Sequence, residues 1–339
     1  MAVNRKPPYA ELTPDCVLDA LSSIGLSGDG RLLSLNSYEN RVYQVWLDDG
    51  APTGGLPVLA SSVVAKFYRP LRWSDAQIAE EHAFVSKLAE LEIPVVAPFP
   101  LAGKRTMAAF RGFRFAVYPR CGGRAPELED RSTLEWMGRF IGRIHRVGAV
   151  APFVERPALD VTTFGEEPRD WLLAHNFIPA DIADAWKGIV VLALDGVRRC
   201  FERAGAVRTL RLHGDCHAGN VLWTDVGPHF VDFDDARMGP AIQDLWMLLS
   251  GDRGDMQRQL RAIVSGYEDF HDFDDRELWL IEALRTLRLI HYSAWLARRW
   301  DDPAFPAAFP WFNTQRYWQD RVLELREQVA AMDETVLVL

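Results

Sequence analysis

The sequence predicts an α+β protein built from a small β-sheet lobe and a larger, mainly helical lobe. Segments that alternate hydrophobic and polar residues are concentrated in the first third of the chain, whereas helix signals dominate beyond Gly123. A chain of 339 residues is also long for one domain and sufficient for two. We therefore predict an N-terminal lobe at 1–118, a hinge at 119–123 and a helical C-terminal lobe at 124–339.

The charge balance narrows the classes of partner. The chain has 38 Lys and Arg against 47 Asp and Glu, a net charge of −9, and no basic cluster. Such a chain is unfavourable for binding nucleic acid or an anionic membrane surface, so we expect neither as a partner. The run Ile189–Leu194 is the longest apolar stretch and is far too short to span a bilayer.

The N-terminus and the cysteines bear on the cellular compartment. The first residues lack the apolar segment of a signal peptide. The four cysteines, at 16, 121, 200 and 216, have neither paired nor metal-binding spacing. Free thiols are typical of a reducing compartment, so we expect a cytoplasmic protein, and we expect it to be a monomer.

Three N-terminal segments have the alternating pattern of β-strands. Residues 31–47 predict a hairpin with the polar segment Asn36–Asn40 at its tip, and residues 63–68 predict a further strand. Residues 106–118 predict a second hairpin that turns at Arg111 and the glycine after it. Together these strands predict a small antiparallel sheet.

A predicted helix after the third strand carries a carboxylate on its apolar face. Ser74 and Gln77 have the spacing of a capping box, which marks a helix start. Glu81 falls near the middle of the apolar stripe, whereas Glu80 lies about a quarter-turn away. A carboxylate facing the core is costly unless it is paired with a cation. Glu81 or Glu80 is therefore expected to pair with a buried cation, for which Lys66 is the candidate.

The C-terminal region is predicted to be mainly helical and has no internal repeat. Ser132 and Glu135 have the spacing of a second capping box. The predicted helices run over 132–148, over about 179–205, from Pro240 onward and over 277–300.

The densest polar cluster is the segment His213–Asn220, which precedes a predicted β-hairpin. If the hairpin turns about Val226, Asn220 and Asp232 lie opposite each other, although a shift of register changes this pairing. Asp215 lies on the loop just before the hairpin. The sequence therefore predicts an amide oxygen and two carboxylates near one another.

These groups suit phosphoryl transfer. An amide oxygen and a carboxylate suit Mg²⁺, which shares its coordination shell with substrate phosphates, and a second carboxylate can accept the proton of an attacking hydroxyl. The spacing Asp-x-x-x-x-Asn, followed by Asp-Phe, is the arrangement of base and two metal ligands in protein kinases. A lysine in Val-Val-Ala-Lys and a glutamate 15 residues later complete that set. We therefore predict a bilobal, protein-kinase-like fold with an ATP-binding N-terminal lobe.

Several stretches resemble known families. His213–Asn220 resembles the His-Gly-Asp-x-His-x-x-Asn motif of the aminoglycoside phosphotransferase and choline kinase-like superfamily, which shares the protein kinase fold. Together with that motif, further stretches resemble the bacterial stress response kinase A family over almost the whole chain. These stretches are Leu35–Tyr43, Asp244–Leu249, Ala294–Trp300 and Pro303–Pro306. The resemblance implies a cytoplasmic serine/threonine protein kinase of the stress response, with ATP, protein substrates and the protein itself as partners.

The resemblance also implies a catalytic set. Asp215 is expected to be the proton acceptor for the acceptor hydroxyl, and Asn220 and Asp232 are expected to be the Mg²⁺ ligands. Asp232 thus belongs to both the catalytic and the metal-binding residues.

The resemblance implies a nucleotide-binding set in the N-terminal lobe. Lys66 is expected to hold the α- and β-phosphates of ATP and Glu81 to orient Lys66. Ser37 lies in the hairpin loop that contacts the nucleotide in the family. Backbone groups around Tyr118–Cys121 are expected to meet the adenine.

The sequence departs from the protein kinase pattern in three places. The hairpin loop is Asn-Ser-Tyr-Glu-Asn rather than glycine-rich, so polar side chains must supplement backbone N–H groups at the phosphates. Asp234 stands where a glycine usually follows Asp-Phe, and no Ala-Pro-Glu segment follows. These departures argue against activation-loop phosphorylation as a switch and against peptide docking in the usual kinase manner.

Several alternatives remain open at this stage. A small-molecule kinase of the aminoglycoside, choline or homoserine kinase type shares the broader motif. The alternation of His213, Asp215 and His217 also allows a transition-metal site of a hydrolase, and a non-catalytic nucleotide-binding module is a third alternative. Asp244 opens a predicted helix and either favours its dipole or braces the catalytic loop.

Overall fold

The structure is a computed structural model that describes residues 7–50 and 61–339. The strands are β1 (Gly28–Ser34), β2 (Arg41–Leu47), β3 (Ser62–Phe67), β4 (Ala108–Phe110), β5 (Phe113–Pro119), β6 (Leu210–Leu212), β7 (Val221–Thr224), β8 (Gly227–Phe230) and β9 (Arg237–Gly239). The α-helices are α1 (Pro14–Ser22), α2 (Asp75–Glu90), α3 (Arg131–Gly148), α4 (Glu167–Ala174), α5 (Ala180–Ala204), α6 (Ile242–Trp246), α7 (Arg253–Tyr267), α8 (Ile281–Ala297), α9 (Ala304–Ala308) and α10 (Gln315–Ala331).

The chain divides into two compact units. Unit 1 ends at Arg124 and also contains Leu222–Asp234, whereas unit 2 consists of Ala125–Val221 and Asp235–Leu339. Unit 1 contains an antiparallel sheet and unit 2 is mainly helical, so the predicted α+β class is confirmed.

Unit 1 is built around a five-stranded antiparallel sheet with the order β1-β2-β3-β5-β4. Both predicted hairpins are present, β1–β2 and β4–β5. Arg111 and Gly112 connect β4 to β5 with φ angles of 44° and 83°, as in the two-residue turns that match the twist of a hairpin. The sheet places β3, and with it Lys66, between β2 and β5.

Helix α2 begins as predicted. The Ser74 side chain accepts a hydrogen bond from the Gln77 backbone, and the Gln77 side chain accepts one from the Ser74 backbone, so the capping box is confirmed. The buried face of the helix contains Glu81 together with Ile78 and Phe84. Glu80 is only partly buried, so Glu81 is the carboxylate that faces the core.

The segment Leu222–Asp234 packs with unit 1, although the sequence placed it in the C-terminal lobe. The Val96 N–H donates to the Phe230 carbonyl (3.0 Å), and the Phe230 N–H donates to the Pro94 carbonyl (2.8 Å). The ring of Phe233 meets that of Phe84 edge to face, with centroids 6.2 Å apart. These contacts join residues far apart in sequence, and they place Asp232 in the same unit as Lys66.

The hairpin β7–β8 is confirmed, but the predicted cross-strand pairing of Asn220 with Asp232 is wrong. The turn consists of residues 225–226, and the paired strands extend only from Val221 to Phe230. Asn220 ends a 3-10 turn before β7, and Asp232 follows β8 with a φ angle of 60°. The ladder of the hairpin is therefore too short to include either residue.

Two helices of unit 2 touch through their backbones. Gly138 of α3 lies against α7, where an added Cβ atom would overlap the carbonyl oxygen of Ile263. Gly266 of α7 lies in the same way against the carbonyl of Glu135. Helix α3 begins at the N-cap Asp130, not at Ser132, because the Asp130 carboxylate accepts the hydrogen bond from the Thr133 N–H.

The remaining core of unit 2 is rich in aromatic residues. Helix α5 is 25 residues long and packs on α10, where the rings of Trp186 and Trp318 meet edge to face at 6.2 Å.

In residues 7–50 and 61–339, no helix combines the length and apolar character needed to cross a membrane.

Candidate active site

Lys66 is held between two aspartates of unit 1. Its Nζ donates a hydrogen bond to Oδ1 of Asp232 (2.8 Å) and lies 3.3 Å from Oδ1 of Asp234. Burial lowers the pKa of Lys66, but the negative charges of Asp232 and Asp234 outweigh it and hold this pKa well above the usual value. Lys66 is therefore a permanent cation beside the Asp-Phe-Asp segment.

Arg72 connects this segment to the β1–β2 loop. Its guanidinium forms an ion pair with Asp234 and lies 3.6 Å from a carboxylate oxygen of Glu39. Asp234 is buried, and its carboxylate contacts both Lys66 and Arg72. The aspartate that replaces the usual kinase glycine therefore has a structural role, which is to link the side chains of Lys66 and Arg72.

Glu81 contributes to the electrostatics of Lys66. Its negative charge is among the causes of the raised Lys66 pKa, and its side chain is buried on α2. The ion pairs described above join Lys66 to Asp232 and Asp234. The role of Glu81 in orienting Lys66 stays a prediction.

Tyr118 and Ser37 occupy their expected elements. The Tyr118 hydroxyl lies 2.9 Å from the Tyr68 hydroxyl and 3.3 Å from Nε2 of His82, in a buried polar cluster. Ser37 lies in the β1–β2 loop, where its Oγ donates to the backbone carbonyl of Asn40 (3.2 Å). Contacts of Ser37 and Tyr118 with a nucleotide stay predictions.

Asp215 lies on a polar loop of unit 2 that precedes β7. Its Oδ1 accepts a hydrogen bond from Nη1 of Arg288 (2.7 Å), and its Oδ2 lies 3.5 Å from Nε2 of His217. Burial raises the pKa of Asp215, but the hydrogen bond of His217 and the charge of Arg288 outweigh it and hold this pKa well below the usual value. Asp215 is therefore an ionised hydrogen-bond acceptor at neutral pH.

The loop fixes the orientation of Asn220 and His217. The Asn220 Nδ2 donates to the backbone carbonyl of Asp215 (2.9 Å), which leaves Oδ1 as the outward-facing acceptor of this amide. The Gly219 N–H donates to Nδ1 of His217 (3.0 Å), so a neutral His217 carries its proton on Nε2, toward Asp215.

Asp244 holds the backbone of the same loop in place through hydrogen bonds. Its buried carboxylate accepts hydrogen bonds from the backbone N–H groups of His213 (2.8 Å) and Gly214 (2.9 Å) and from Nε2 of His145 (3.0 Å). Gly214 has a φ angle of 86°, and an added Cβ would overlap the Asp235 carbonyl oxygen. Of the two roles considered for Asp244, the structure therefore supports bracing.

Each of the two predicted metal ligands, Asn220 in unit 2 and Asp232 in unit 1, has an oxygen atom of the type that binds a hard cation. Within the described part of the chain, Oδ1 of Asn220 and Oδ2 of Asp232 accept no hydrogen bond, and the Asp232 side chain is 50% exposed. Amide and carboxylate oxygens are the ligands that Mg²⁺ prefers. The described residues contain no cluster of three His, Cys, Asp or Glu side chains placed to hold a metal ion, so His213, Asp215 and His217 do not form a transition-metal site by themselves.

Sequence reasoning missed two cations. Arg288 contacts Asp215 across 73 positions of the chain, and Arg72 contacts Asp234 across 162 positions. Arg288 lies among leucines in a pattern typical of an ordinary amphipathic helix. Arg72 lies in the turn that follows β3. Neither position carries a local signal that distinguishes it from a solvated surface arginine.

Several known proteins are similar to this chain over nearly its whole length. Residues 31–279 match the model of the phosphotransferase enzyme family. Stress response kinase A of Salmonella choleraesuis and serine/threonine protein kinase RdoA of Salmonella typhimurium are each 44% identical over 331 residues, covering 98% of this chain and 97% of the relative. Stress response kinase A of Escherichia coli K12 is 43% identical with the same coverage.

Solved structures show the same fold at low identity. Amicoumacin kinase, in complex with AMP-PNP, Ca²⁺ and Ami, has a TM-score of 0.71 at 19% identity and covers 98% of this chain and 96% of its own. A microcompartment-associated aminopropanol kinase has a TM-score of 0.68 at 17% identity, with coverages of 95% and 97%. The predicted family resemblance is confirmed. The chain belongs to the phosphotransferase enzyme family and, within it, to the stress response kinase A proteins.

Proposed function

We propose that this phosphotransferase is a cytoplasmic, ATP- and Mg²⁺-dependent serine/threonine protein kinase that acts in a stress response. The observation that carries the proposal is the Asp215 loop, which presents an ionised carboxylate held by three neighbouring side chains. The chain that contains this loop is 44% identical, over 97% of the relative, to a protein named serine/threonine protein kinase RdoA.

Asp215 orients the acceptor hydroxyl in this proposal. A carboxylate with a strongly lowered pKa is a poor base toward a neutral alcohol, but it accepts a hydrogen bond from the hydroxyl and fixes the attacking oxygen. The proton reaches Asp215 as the bond to phosphorus forms, because the transition state of phosphoryl transfer is loose and the hydroxyl becomes acidic late. Most of the catalysis is then positioning and electrostatic stabilisation.

Asn220 and Asp232 hold the divalent cation through the two oxygens that accept no hydrogen bond in the described chain. When bound, Mg²⁺ supplies positive charge that neutralises the transferring phosphoryl group. Lys66 contacts the α- and β-phosphates, for which its permanent charge is suited, and Glu81 keeps that charge in place. Ser37 and the backbone around Tyr118 contact the nucleotide.

A small-molecule kinase is the second candidate. The two solved structures with similar folds are named as kinases of amicoumacin and of aminopropanol, which are small acceptors. At sequence identities of 19% and 17%, these structures indicate the fold of this chain but not its substrate. The relatives at 44% identity are named as stress response or protein kinases.

Transfer of phosphate from γ-labelled ATP tests the proposal. Wild type should label Ser or Thr of the protein itself or of a generic protein substrate, and Asp215→Asn should reduce the rate at least ~10²-fold with the fold intact. Asp225→Asn is the matched control, because Asp225 is an exposed residue of the β7–β8 turn. Near wild-type activity of Asp215→Asn removes Asp215 from catalysis.

The metal assignment needs its own variant. Asp232→Ala should abolish Mg²⁺-dependent turnover and leave the circular dichroism spectrum unchanged, because the Asp232 side chain is half exposed. Unchanged turnover contradicts the assignment. ATP binding without any labelled protein contradicts the protein kinase function and supports a small acceptor.

A further inference from the structure

A cation lies beside the carboxylate that the acceptor hydroxyl must reach. A hydroxyl that donates to Asp215 lies within about 3 Å of that carboxylate. Nη1 of Arg288 is 2.7 Å from the same carboxylate, and the Arg288 side chain is 38% exposed. Any group bonded close to the acceptor hydroxyl therefore comes within a few ångströms of a guanidinium that solvent can reach.

The second oxygen of Asp215 also faces a hydrogen-bond donor. Nε2 of His217 lies 3.5 Å from Oδ2, and the His217 side chain is 40% exposed. The Asp215 carboxylate is thus flanked by Arg288 on one side and by His217 on the other. Because Asp215 supplies one negative charge and Arg288 balances it, an additional cation finds no uncompensated negative charge at this position.

Helix α8, which carries Arg288, has two arginines and one glutamate in a chain whose net charge is −9. Glu282 forms an ion pair with Arg285 at 3.0 Å, whereas Arg288 is the arginine of this helix that lies beside Asp215. Positions 288, 292 and 295 fall on one face of α8. On this face Tyr292 stacks on Trp295 with ring centroids 5.6 Å apart, and both residues are partly buried. Beyond the end of the helix, the Arg299 guanidinium lies 5.0 Å from the Trp295 ring centre.

We propose that the acceptor is an acidic protein segment, in which the Ser or Thr that receives the phosphate has Asp or Glu neighbours. This proposal rests on the protein kinase function proposed above and names its substrate class. The acidic side chain binds Arg288, which can hold a carboxylate through two N–H groups. The hydrogen bond from Arg288 to Oδ1 of Asp215 is then replaced by one from Arg288 to the substrate carboxylate. Oδ1 of Asp215 becomes available to the acceptor hydroxyl.

The same arrangement selects against cationic acceptors. An amino alcohol carries its ammonium group a few ångströms from the hydroxyl, which places that charge near Arg288. Like charges at this distance repel each other, and a partner that leaves a buried or half-buried charge unpaired is disfavoured. Arg288 is therefore a specificity-determining residue.

Three peptides test the proposal, each with one Ser flanked on both sides by Glu, by Ala or by Lys. Wild type should phosphorylate the Glu peptide with a kcat/KM at least ~10-fold above the Ala peptide, because a hydrogen bond to a charged group is worth about that factor. The Lys peptide should be the poorest of the three. In Arg288→Gln the advantage of Glu over Ala should fall below ~3-fold.

Arg285→Gln is the matched control. Arg285 lies about one turn earlier on α8 and is paired with Glu282 at 3.0 Å, so its removal changes the same net charge without changing the contact with Asp215. This variant should keep the preference for the Glu peptide. Equal rates of wild type on the three peptides, or a preserved Glu preference in Arg288→Gln, overturn the proposal.

A panel of small acceptors separates this inference from the function on which it rests. If wild type labels no protein or peptide, the protein kinase function fails. Transfer to a hydroxy acid such as glycerate that is lost in Arg288→Gln then supports an anionic acceptor in another substrate class. Transfer to ethanolamine or choline overturns recognition of an anionic acceptor by Arg288.

Discussion

Replacement of Asp244 by Asn tests how the catalytic loop is held in place. The Asp244 carboxylate accepts hydrogen bonds from the His213 N–H, the Gly214 N–H and Nε2 of His145, and the side chain is 1% exposed. In the Asn variant one acceptor oxygen becomes an NH₂ group. The less costly orientation points this group at the Gly214 N–H, since the other orientation opposes two donors.

The expected effect follows from these contacts. A hydrogen bond to a charged group contributes about 1.5–3 kcal/mol, and a buried donor without an acceptor costs about 1–3 kcal/mol. In this variant the Gly214 N–H loses its hydrogen bond and faces the NH₂ group of the asparagine, which is also a donor. The two effects together should lower the free energy of unfolding by about 3–5 kcal/mol. Because Gly214 immediately precedes Asp215, kcat should also fall, by at least ~10-fold.

Urea unfolding followed by tryptophan fluorescence measures the stability change, and the peptide assay measures kcat. Tyr267→Phe is the control, because it removes only a hydroxyl that lies 2.9 Å from Nδ1 of His145 at the far end of the same network. It should cost about 1–2 kcal/mol. If Asp244→Asn costs no more than Tyr267→Phe and leaves kcat unchanged, the bracing role of Asp244 is refuted.

Two further predictions concern stability. Gly138→Ala should lower the free energy of unfolding by about 3 kcal/mol or more, because the new methyl group would overlap the Ile263 carbonyl oxygen. Gly188 lies on the exposed side of α5 with nothing within 4 Å of the new atom, so Gly188→Ala should raise the free energy of unfolding by about 0.5–1 kcal/mol. If urea unfolding shows a change of the same sign in both variants, the close contact of α3 with α7 is contradicted. Glu277 is buried, which raises its pKa from 4.5 to about 7, so its ionisation destabilises the folded state as pH rises from about 4.5 to about 7. Glu277→Gln should therefore be more stable than wild type by about 3 kcal/mol near pH 8, with almost no difference near pH 4, and a difference independent of pH in urea titrations contradicts this.

Local signals explain which parts of the fold were predictable. The two hairpins follow from the alternation of hydrophobic and polar residues, and the capping box of α2 follows from the three-residue spacing of Ser74 and Gln77. Both patterns involve only neighbours in sequence. The start of α3 was misplaced by two residues because Asp130 and Ser132 are both good N-caps, and the Asp130 carboxylate accepts from the Thr133 N–H and the Ser132 hydroxyl at once. The pairing of Asn220 with Asp232 failed because the hairpin ladder ends before both residues.

By itself, the sequence determined the fold class, the family and the chemical types of the candidate residues Asp215, Asn220, Asp232 and Lys66, because motif spacing and periodicity are properties of short segments. Only the tertiary structure decided which charges meet. Arg288 reaches Asp215 across 73 positions, and Arg72 reaches Asp234 across 162 positions. Such pairs form where separate elements pack against each other, and their electrostatic energy depends on distance and burial in space, which no local pattern of residues records.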